Sequence, residues 1–294
     1  MHTATYYIDL LLSGITVGSL YALIAIGYTM VYGILRLINF AHGDIFMMAG
    51  FFMVYISASM PMAVAIPVVL IMTVALGLLI ERAAYKPLRS APRMSVMISA
   101  IGVSYLLQNL ATYITGGLAR PYPEIPFLKG TFMLGALKIK IITVVTPLLT
   151  ILLVIALVLF INHTKTGMAM RAVSRDFDTA RLMGIKVNNI ISVTFIIGSF
   201  LAGVGSILYF SNYGQVSPTI GAMPGFKAFV AAVFGGIGSI PGAVLGAYII
   251  GICESLIKAN DAIAIFSNAF TFALLILVLL FKPVSYTHLR AHET

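Results

Sequence analysis

The sequence predicts an all-α, polytopic transmembrane bundle of about eight spans, with a re-entrant or broken helix near 235–242. Three observations carry this reading. Hydrophobic residues make up 60% of the 294-residue chain and charged residues only 9%, against about a quarter charged in a soluble domain. Apolar runs near the length that crosses a bilayer, about 20 residues, recur along the whole chain. Two Lys/Arg-rich stretches are separated by two such runs, so both fall on one side of the membrane, and basic loops mark the cytoplasm.

The runs follow in order. The first, Ile8 to Leu35, carries Gly14, Gly18 and Ala22 four apart, a stripe of small residues that lets helices approach closely. A polar interruption, Arg36 to Asp44, precedes a second run from Ile45 to Ala58. Met62 to Ile80 is the third, Met94 to Thr115 the fourth with Gln108 and Asn109 inside it, and Ile141 to Ile161 the fifth. Ile190 to Phe210 repeats the small stripe at Gly198, Ala202 and Ser206. Phe226 to Ile257 is broken by Gly235-Gly236-Ile237-Gly238-Ser239-Ile240-Pro241-Gly242. Ala262 to Phe281 closes the bundle, with Asn260 or Asp261 placed to cap it.

Arg82, Lys86, Arg89 and Arg93 follow the third run, and Lys165, Arg171, Arg175, Arg181 and Lys186 lie in the segment after the fifth. These are the cytoplasmic loops, which puts the N-terminus outside. Parity then bears on the glycine break. A single crossing by Phe226 to Ile257 would put Lys282 outside, whereas two half-helices would put it in the cytoplasm. Irregular backbone at membrane depth survives only inside protein or beside a water-filled cavity, so the break reads as a pathway element. On this reading leucine at Gly238 is more damaging than leucine at Gly251, and Ser255 lies near the outer face.

The net charge of +9 reflects topology. No nucleic-acid motif or basic arm is present. Cys253 is the lone cysteine, so no internal disulfide can form. The five histidines (2, 42, 163, 288, 292) have no metal-ligand spacing, no nucleophile elbow occurs, and no Walker A pattern is found. The chain therefore reads as a non-enzyme without a cofactor, and any ATPase that drives it is a separate polypeptide. Met1 to Asp9 lacks a basic n-region, so the first run reads as a retained span.

Three features remain open between a structural and a functional role. Asn39, His42, Gly43 and Asp44 form either a helix-capping turn at the membrane edge or a polar cluster facing a cavity. Gly235, Gly236, Gly238 and Gly242, with Gly246 continuing the four-residue spacing, suit tight helix packing or an unwound pathway element. Lys165 to Asn189 is either a solvated connector or a docking surface. Met168, Met170, Val173, Phe177, Leu182 and Met183 would leave a connector with many exposed apolar groups.

Five stretches resemble the branched-chain amino-acid ABC transporter permeases of the LivH type. They are Asn39-Phe40-Ala41-His42-Gly43-Asp44, Glu81-Arg82 through Tyr85-Lys86-Pro87-Leu88-Arg89, Met170-Arg171-Ala172-Val173, Ala180-Arg181-Leu182-Met183-Gly184-Ile185, and Gly235 through Ala243. The likeness runs from about Tyr6 to Pro283. It implies one permease domain over 1–283 in the bacterial plasma (inner) membrane, paired with a paralogous permease subunit. It also implies two cytoplasmic ATPase subunits and an extracytoplasmic substrate-binding protein. Asp178-Thr179-Ala180-x-x-x-Gly184 resembles the motif by which import permeases engage their ATPases, which makes 163–189 a coupling loop with Arg171, Asp178, Ala180, Arg181 and Gly184 as its residues. The Leu-Pro that often follows that motif is absent.

Residues 284–294 have no apolar pattern and no likeness to the family, so the tail reads as non-native. The competing functions are a permease of the same family for urea or a short amide, and a stand-alone channel or secondary transporter. Against the latter, no inverted repeat and no intramembrane charge pair is evident in the sequence.

Overall fold

The computed structural model describes residues 2–89, 91–134 and 137–281. Lys282, on which the parity argument turns, and the tail from 284 lie outside the described residues. Helix α1 (His2–Leu35) is followed by α2 (His42–Ile56) and by α3 (Met62–Ile80), which runs on into a π-helical turn over Glu81–Tyr85. Then come α4 (Arg93–Thr115), α5 (Ile141–His163), the short α6 (Lys165–Arg175) and α7 (Phe177–Leu182), and α8 (Val187–Tyr213). Helices α9 (Ala222–Phe234), α10 (Ile240–Lys258) and α11 (Ser267–Phe281) complete the described residues. Six helices among the described residues are long and apolar enough to cross a bilayer: α1, α3, α4, α5, α8 and α10. Strands are confined to loops, where β1 (Arg120–Pro121) pairs with β4 (Gln215–Val216) and β2 (Thr131–Leu134) with β3 (Leu137–Lys140), both antiparallel.

Helices α1 and α8 are apolar on every face and sit at the centre, as all-round hydrophobicity demands. They cross antiparallel where their backbones can touch: a Cβ on Gly198 would stand 3.5 Å from the Gly27 Cα, and one on Gly205 3.4 Å from the Leu23 Cβ. The small stripe of α1 faces α10 rather than α8. A Cβ on Gly251 would fall 2.3 Å from the Gly18 backbone nitrogen, and one on Gly14 2.8 Å from the Ile252 Cα. Such approaches leave room for glycine alone, and they hold membrane helices together by packing where no hydrophobic force can.

The two halves of the chain repeat one another with reversed direction. In the first, the long α1 is followed by the short α2, then α3 and α4. In the second, the long α8 is followed by the short α9, then α10 and α11. Each long helix packs on the short helix and on the next span of the opposite half. Thus α1 contacts α9 and α10, while α8 contacts α2 and α3. Gly77 of α3 meets Ser199 of α8, and Thr73 meets Gly203, so this pair is antiparallel as α1 and α10 are. The inverted repeat not evident in the sequence is therefore present. Hydropathy does not reveal it, because the repeat preserves the order of long and short helices while the side chains differ.

The short helices begin inside the bundle. His42, the first residue of α2, lies against Gly27 and Gly198. These positions are about 12 Å from the end of α1 and about 16 Å from the start of α8 at 1.5 Å per residue. Both helix ends belong to the basic side, where Arg36 Nη2 donates to the Ser174 carbonyl (3.1 Å) and Arg89 donates to Asn188. In a hydrocarbon core about 30 Å thick, α2 thus starts near mid-membrane and runs outward. Helix α9 starts beside it, with Gly221 and Gly225 on Gly43, and runs the opposite way.

Two expectations need correction here. The glycine break does not divide two half-helices at membrane depth. It is a tight turn near the basic end of the bundle, with the half-helix α9 before it and the full span α10 after it. The irregular backbone that enters the bundle is instead Leu37–Ala41 and the residues from Ser217 to Gly221. Gly235 and Gly242 do meet backbone to backbone, since a Cβ on either would fall within about 2.0 Å of the other's carbonyl oxygen. Gly236 and Gly238 turn the chain at φ +91° and +97° with open space around them, which glycine adopts at no steric cost. The last helix begins at Ser267 rather than Ala262. Asn260 caps the preceding turn, its Oδ1 accepting from the Ala262 N–H at 3.1 Å.

Candidate functional site

A cavity of about 320 Å³ opens where the two half-helices meet. Its walls come from α1 (Tyr28), the irregular segment (Ile38, Phe40), α2 (Gly43, Asp44), α4 (Ile101, Ser104, Tyr105, Gln108) and the start of α9 (Gly221, Ala222, Gly225, Phe226, Phe229). Gly43, Gly221 and Gly225 are required because the half-helices cross here. A Cβ on Gly43 would lie 2.6 Å from the Gly221 carbonyl oxygen, and one on Gly225 would lie 2.9 Å from the Gly43 Cα. The positive ends of both helix dipoles meet at this point.

Asp44 does not act as a helix cap. The capping position of α2 is Ala41, with no side-chain cap. The Asp44 carboxylate reaches across to α4 instead, where Oδ1 accepts from Gln108 Nε2 at 3.0 Å and Oδ2 accepts from the Ser104 hydroxyl. Ser104 and Gln108 are one helical turn apart and hydrogen-bonded to each other. That i, i+4 polar pair in an apolar run is a signal the sequence carried. Of the two polar residues noted in that run, Gln108 faces the site and Asn109 only returns a hydrogen bond to its own helix.

Asn39 and His42 are both buried and stand beside the cavity rather than on its surface. The Asn39 Oδ1 accepts from the Tyr85 hydroxyl at 2.7 Å, tying the irregular segment to the π-helical turn. The His42 ring fills the notch left by Gly27 and stands edge-on to Tyr28 at 4.9 Å between centroids. Among the other residues singled out from the sequence, Gly235, Gly236 and Gly238 stand in the turn after α9 and Gly242 in the first turn of α10, away from this cavity.

Lys227 on α9 carries a charge inside the bundle. Its Nζ donates to Glu254 Oε1 at 2.7 Å, the Tyr21 hydroxyl donates to Oε2 at 2.9 Å, and Lys258 reaches the same carboxylate at 2.6 Å. Glu254 and Lys227 are 2% and 5% exposed. An intramembrane charge pair is therefore present, contrary to expectation. Lys258 stands four residues from Glu254, the ordinary spacing of a helical ion pair, but Lys227 lies 27 residues away and no local spacing reveals it.

The loop after α5 is two capped helices. Thr164 Oγ1 accepts from the Gly167 N–H (3.0 Å) to start α6. Asp176 starts α7, its carboxylate accepting from the Thr179 hydroxyl and from the N–H groups of Thr179 and Asp178. Those hydrogen bonds hold the Asp176 carboxyl below its ordinary pKa. Gly184 ends α7 at φ +80°, with the Ile185 N–H on the Ala180 carbonyl. Arg171 is held on Asn162 (3.2 Å), and Asp178 is in the first turn of α7. Met170, Val173 and Ala180 are buried, so part of the apolar content is internal packing. Leu182 and Met183, at 88% and 79% exposed, are not.

A bundle of inverted repeats, with half-helix ends converging on a polar cavity at mid-membrane and basic loops on one face, defines a polytopic membrane protein of the permease class. The family model described as "Branched-chain amino acid transport system / permease component" matches residues 10–279. The chain belongs to this family. It is 42% identical over 294 residues to the high-affinity branched-chain amino acid transport system permease protein BraD of Pseudomonas aeruginosa, covering 95% of this chain and 94% of the relative. With LivH of Escherichia coli K12 the identity is 40%, with 95% and 94% covered. A probable branched-chain amino acid transport permease LivH of Methanocaldococcus jannaschii is 28% identical over 92% of this chain and 89% of its own. The stand-alone and urea readings are not favoured.

Proposed function

We propose that the chain is the membrane-spanning permease subunit of an ABC importer for branched-chain amino acids, and that the solute passes through the cavity between α2 and α9. The observation that carries the pathway is Asp44. A carboxylate with a serine and a glutamine lines an opening between α4 and α9, whose rim residues Ile101 and Tyr105 are 40% and 63% exposed. Lipid suits such an opening poorly, because a carboxylate at the centre of the hydrocarbon costs about 2.5–3.5 kcal/mol on insertion scales. A second, paralogous permease chain covers it and completes the path.

The cavity suits an aliphatic zwitterion. Asp44 attracts the ammonium, the converging dipoles of α2 and α9 favour the carboxylate, and Phe40, Ile101, Phe226 and Phe229 offer the side chain an apolar wall. Contacts of this kind are weak by design in a path that must also release its solute. On the basic face, Leu182 and Met183 present an apolar patch on α7, which docks a cytoplasmic ATPase subunit. ATP hydrolysis belongs to two such subunits, and solute is delivered at the other face of the inner membrane by a binding protein.

The test is leucine uptake into proteoliposomes that hold the assembled transporter. Asp44→Asn keeps one acceptor oxygen for Gln108, turns the other position into a donor to the Ser104 oxygen, and removes the charge, so uptake should fall at least about tenfold while the assembly still purifies, as expected for loss of one charge-assisted contact. Wild-type uptake by the Asp44→Asn transporter would remove this cavity from the path.

A further inference from the structure

A second cavity, of about 310 Å³, lies on the basic side of the irregular segment. Side chains of that segment alternate between the two spaces: Ile38 and Phe40 face the mid-membrane cavity, while Leu37, with Leu35 at the end of α1, faces this one. Arg89 and Arg181 both line it, with Asn188 beside them. Arg89 is paired with Glu81 and donates to Asn188, yet its Nε is buried without a partner. The Arg181 carbonyl accepts from the Gly184 N–H, but its side chain makes no hydrogen bond or ion pair among the described residues. Burial, together with the like charge of Arg181, holds the Arg89 guanidinium below its ordinary pKa in spite of Glu81. Two cations thus share a pocket whose lining holds no anion among the described residues, and Glu81 behind it is ion-paired with Arg89 alone.

The geometry points to a binding site for a small carboxylate with a branched aliphatic tail, entering from the cytoplasmic side and clamping α7 to the scaffold. The planar fork of arginine suits a carboxylate or phosphate bidentately, and here one fork is free. The remaining walls are apolar, with Tyr85, Leu37 and Phe177 among them, so the tail has a place to go. The volume is that of a small-ligand site. Its walls include the ends of the central helices α1 and α8, so a lipid would have to thread a headgroup inward, away from its own chains. Phe177 and Arg181 both belong to α7, the helix proposed to dock the ATPase. An occupant therefore bridges α7 to the end of the path, as a product returning from the cytoplasm would.

The choice of tail rests on the proposed substrate class; the anion site does not. The probe is 4-methylpentanoate, which keeps the carboxylate and branched tail and has no ammonium for Asp44; the Arg181 variants, which leave the path cavity intact, assign its binding to this pocket. The assembled transporter in nanodiscs of zwitterionic lipid is titrated with it, and hydrogen exchange is followed over 178–185. The expected result is saturable binding that slows exchange in α7, weakens about tenfold or more in Arg181→Gln, and is partly restored in Arg181→Lys. 3-Methylbutylamine, with the same tail and no carboxylate, should not compete. Equal binding by wild type and Arg181→Gln overturns the proposal, as does competition by the amine. So does native mass spectrometry in which an anionic phospholipid co-purifies with wild type and is lost in Arg181→Gln, since the occupant is then a lipid headgroup. Uptake by the Asp44→Asn transporter is measured separately, so failure of the path and failure of this site are distinguishable.

Discussion

The buried pair Lys227–Glu254 makes a quantitative prediction, because its two partners are not equally replaceable. Breaking a buried ion pair from one side costs about 3–5 kcal/mol, since the other charge stays behind uncompensated. If Lys227→Met removes the ammonium, Glu254 keeps the Tyr21 hydroxyl at 2.9 Å and Lys258 at 2.6 Å. Lys258 is half exposed and follows the carboxylate readily, so the loss should sit near the lower bound, about 3 kcal/mol. If Glu254→Leu removes the carboxylate, Lys227 is left with the Tyr21 ring, 5.9 Å from its Nζ. A cation–π contact recovers about 1 kcal/mol, so this loss should sit near the upper bound, about 5 kcal/mol. The double variant replaces both charges with apolar volume and should lose no more than about 2 kcal/mol, which makes the coupling large. Reversible unfolding in mixed detergent, read by helix circular dichroism, provides all four corners of the cycle. The reasoning fails if the two single losses simply add in the double variant, or if Lys227→Met is the costlier of the two.

Other outcomes follow from the packing. Gly251→Ala should destabilise the bundle by more than 2 kcal/mol, because its Cβ would enter the Gly18 backbone and backbone cannot yield as a side chain can. Gly238→Ala faces open space at φ +97° and should cost about 1–2 kcal/mol of left-handed backbone strain; thermal melts of the two variants rank them. Leu182→Ser with Met183→Ser should leave the melting point unchanged and reduce co-purification of the ATPase subunits severalfold, since both side chains touch mainly solvent. Ser255 is buried, so the topological test moves to Asn260, exposed just beyond α10, where a cysteine in a Cys253→Ser background should label from the outer face only.

Much of the fold was legible because the bilayer reads composition directly. Every apolar run singled out from the sequence contains a helix, and the start of α2 differs from expectation by three residues. The segment 226–257 was harder for a physical reason. A half-helix inside protein is as apolar as a span, so hydropathy counts residues without saying where the chain re-enters. The glycines mark close approach, and close approach occurs both at a turn and at depth. Gly235 and Gly242 belong to the first kind, Gly43, Gly221 and Gly225 to the second, and nothing local separates them. The partners of Asp44 and Glu254 come from other helices, which is why their polarity was visible and their geometry was not.

The inverted repeat gives those distant partners a common purpose. A half-helix that starts at mid-membrane leaves its first turn without the neighbours a span would have, and each half supplies them to the other. Helix α2 is seated on α8 and opens onto α9; α9 is seated on α1 and opens onto α2. Each is then fastened by one polar anchor to a span of its own half. Asp44 of α2 is held by Ser104 and Gln108 of α4, and Lys227 of α9 is held by Glu254 of α10. The two anchors differ in strength, a hydrogen-bonded carboxylate on one side and a buried ion pair on the other. A rearrangement that opens the cavity should therefore move α2 against α4 while α9 stays with α10. Spin labels on the outer ends of α2 and α4, at Tyr55 and Tyr113, should show a distance change on ATP binding. Labels at Phe234 and Leu245, on α9 and α10, should show none, and a change confined to that second pair would reverse the assignment of the moving half.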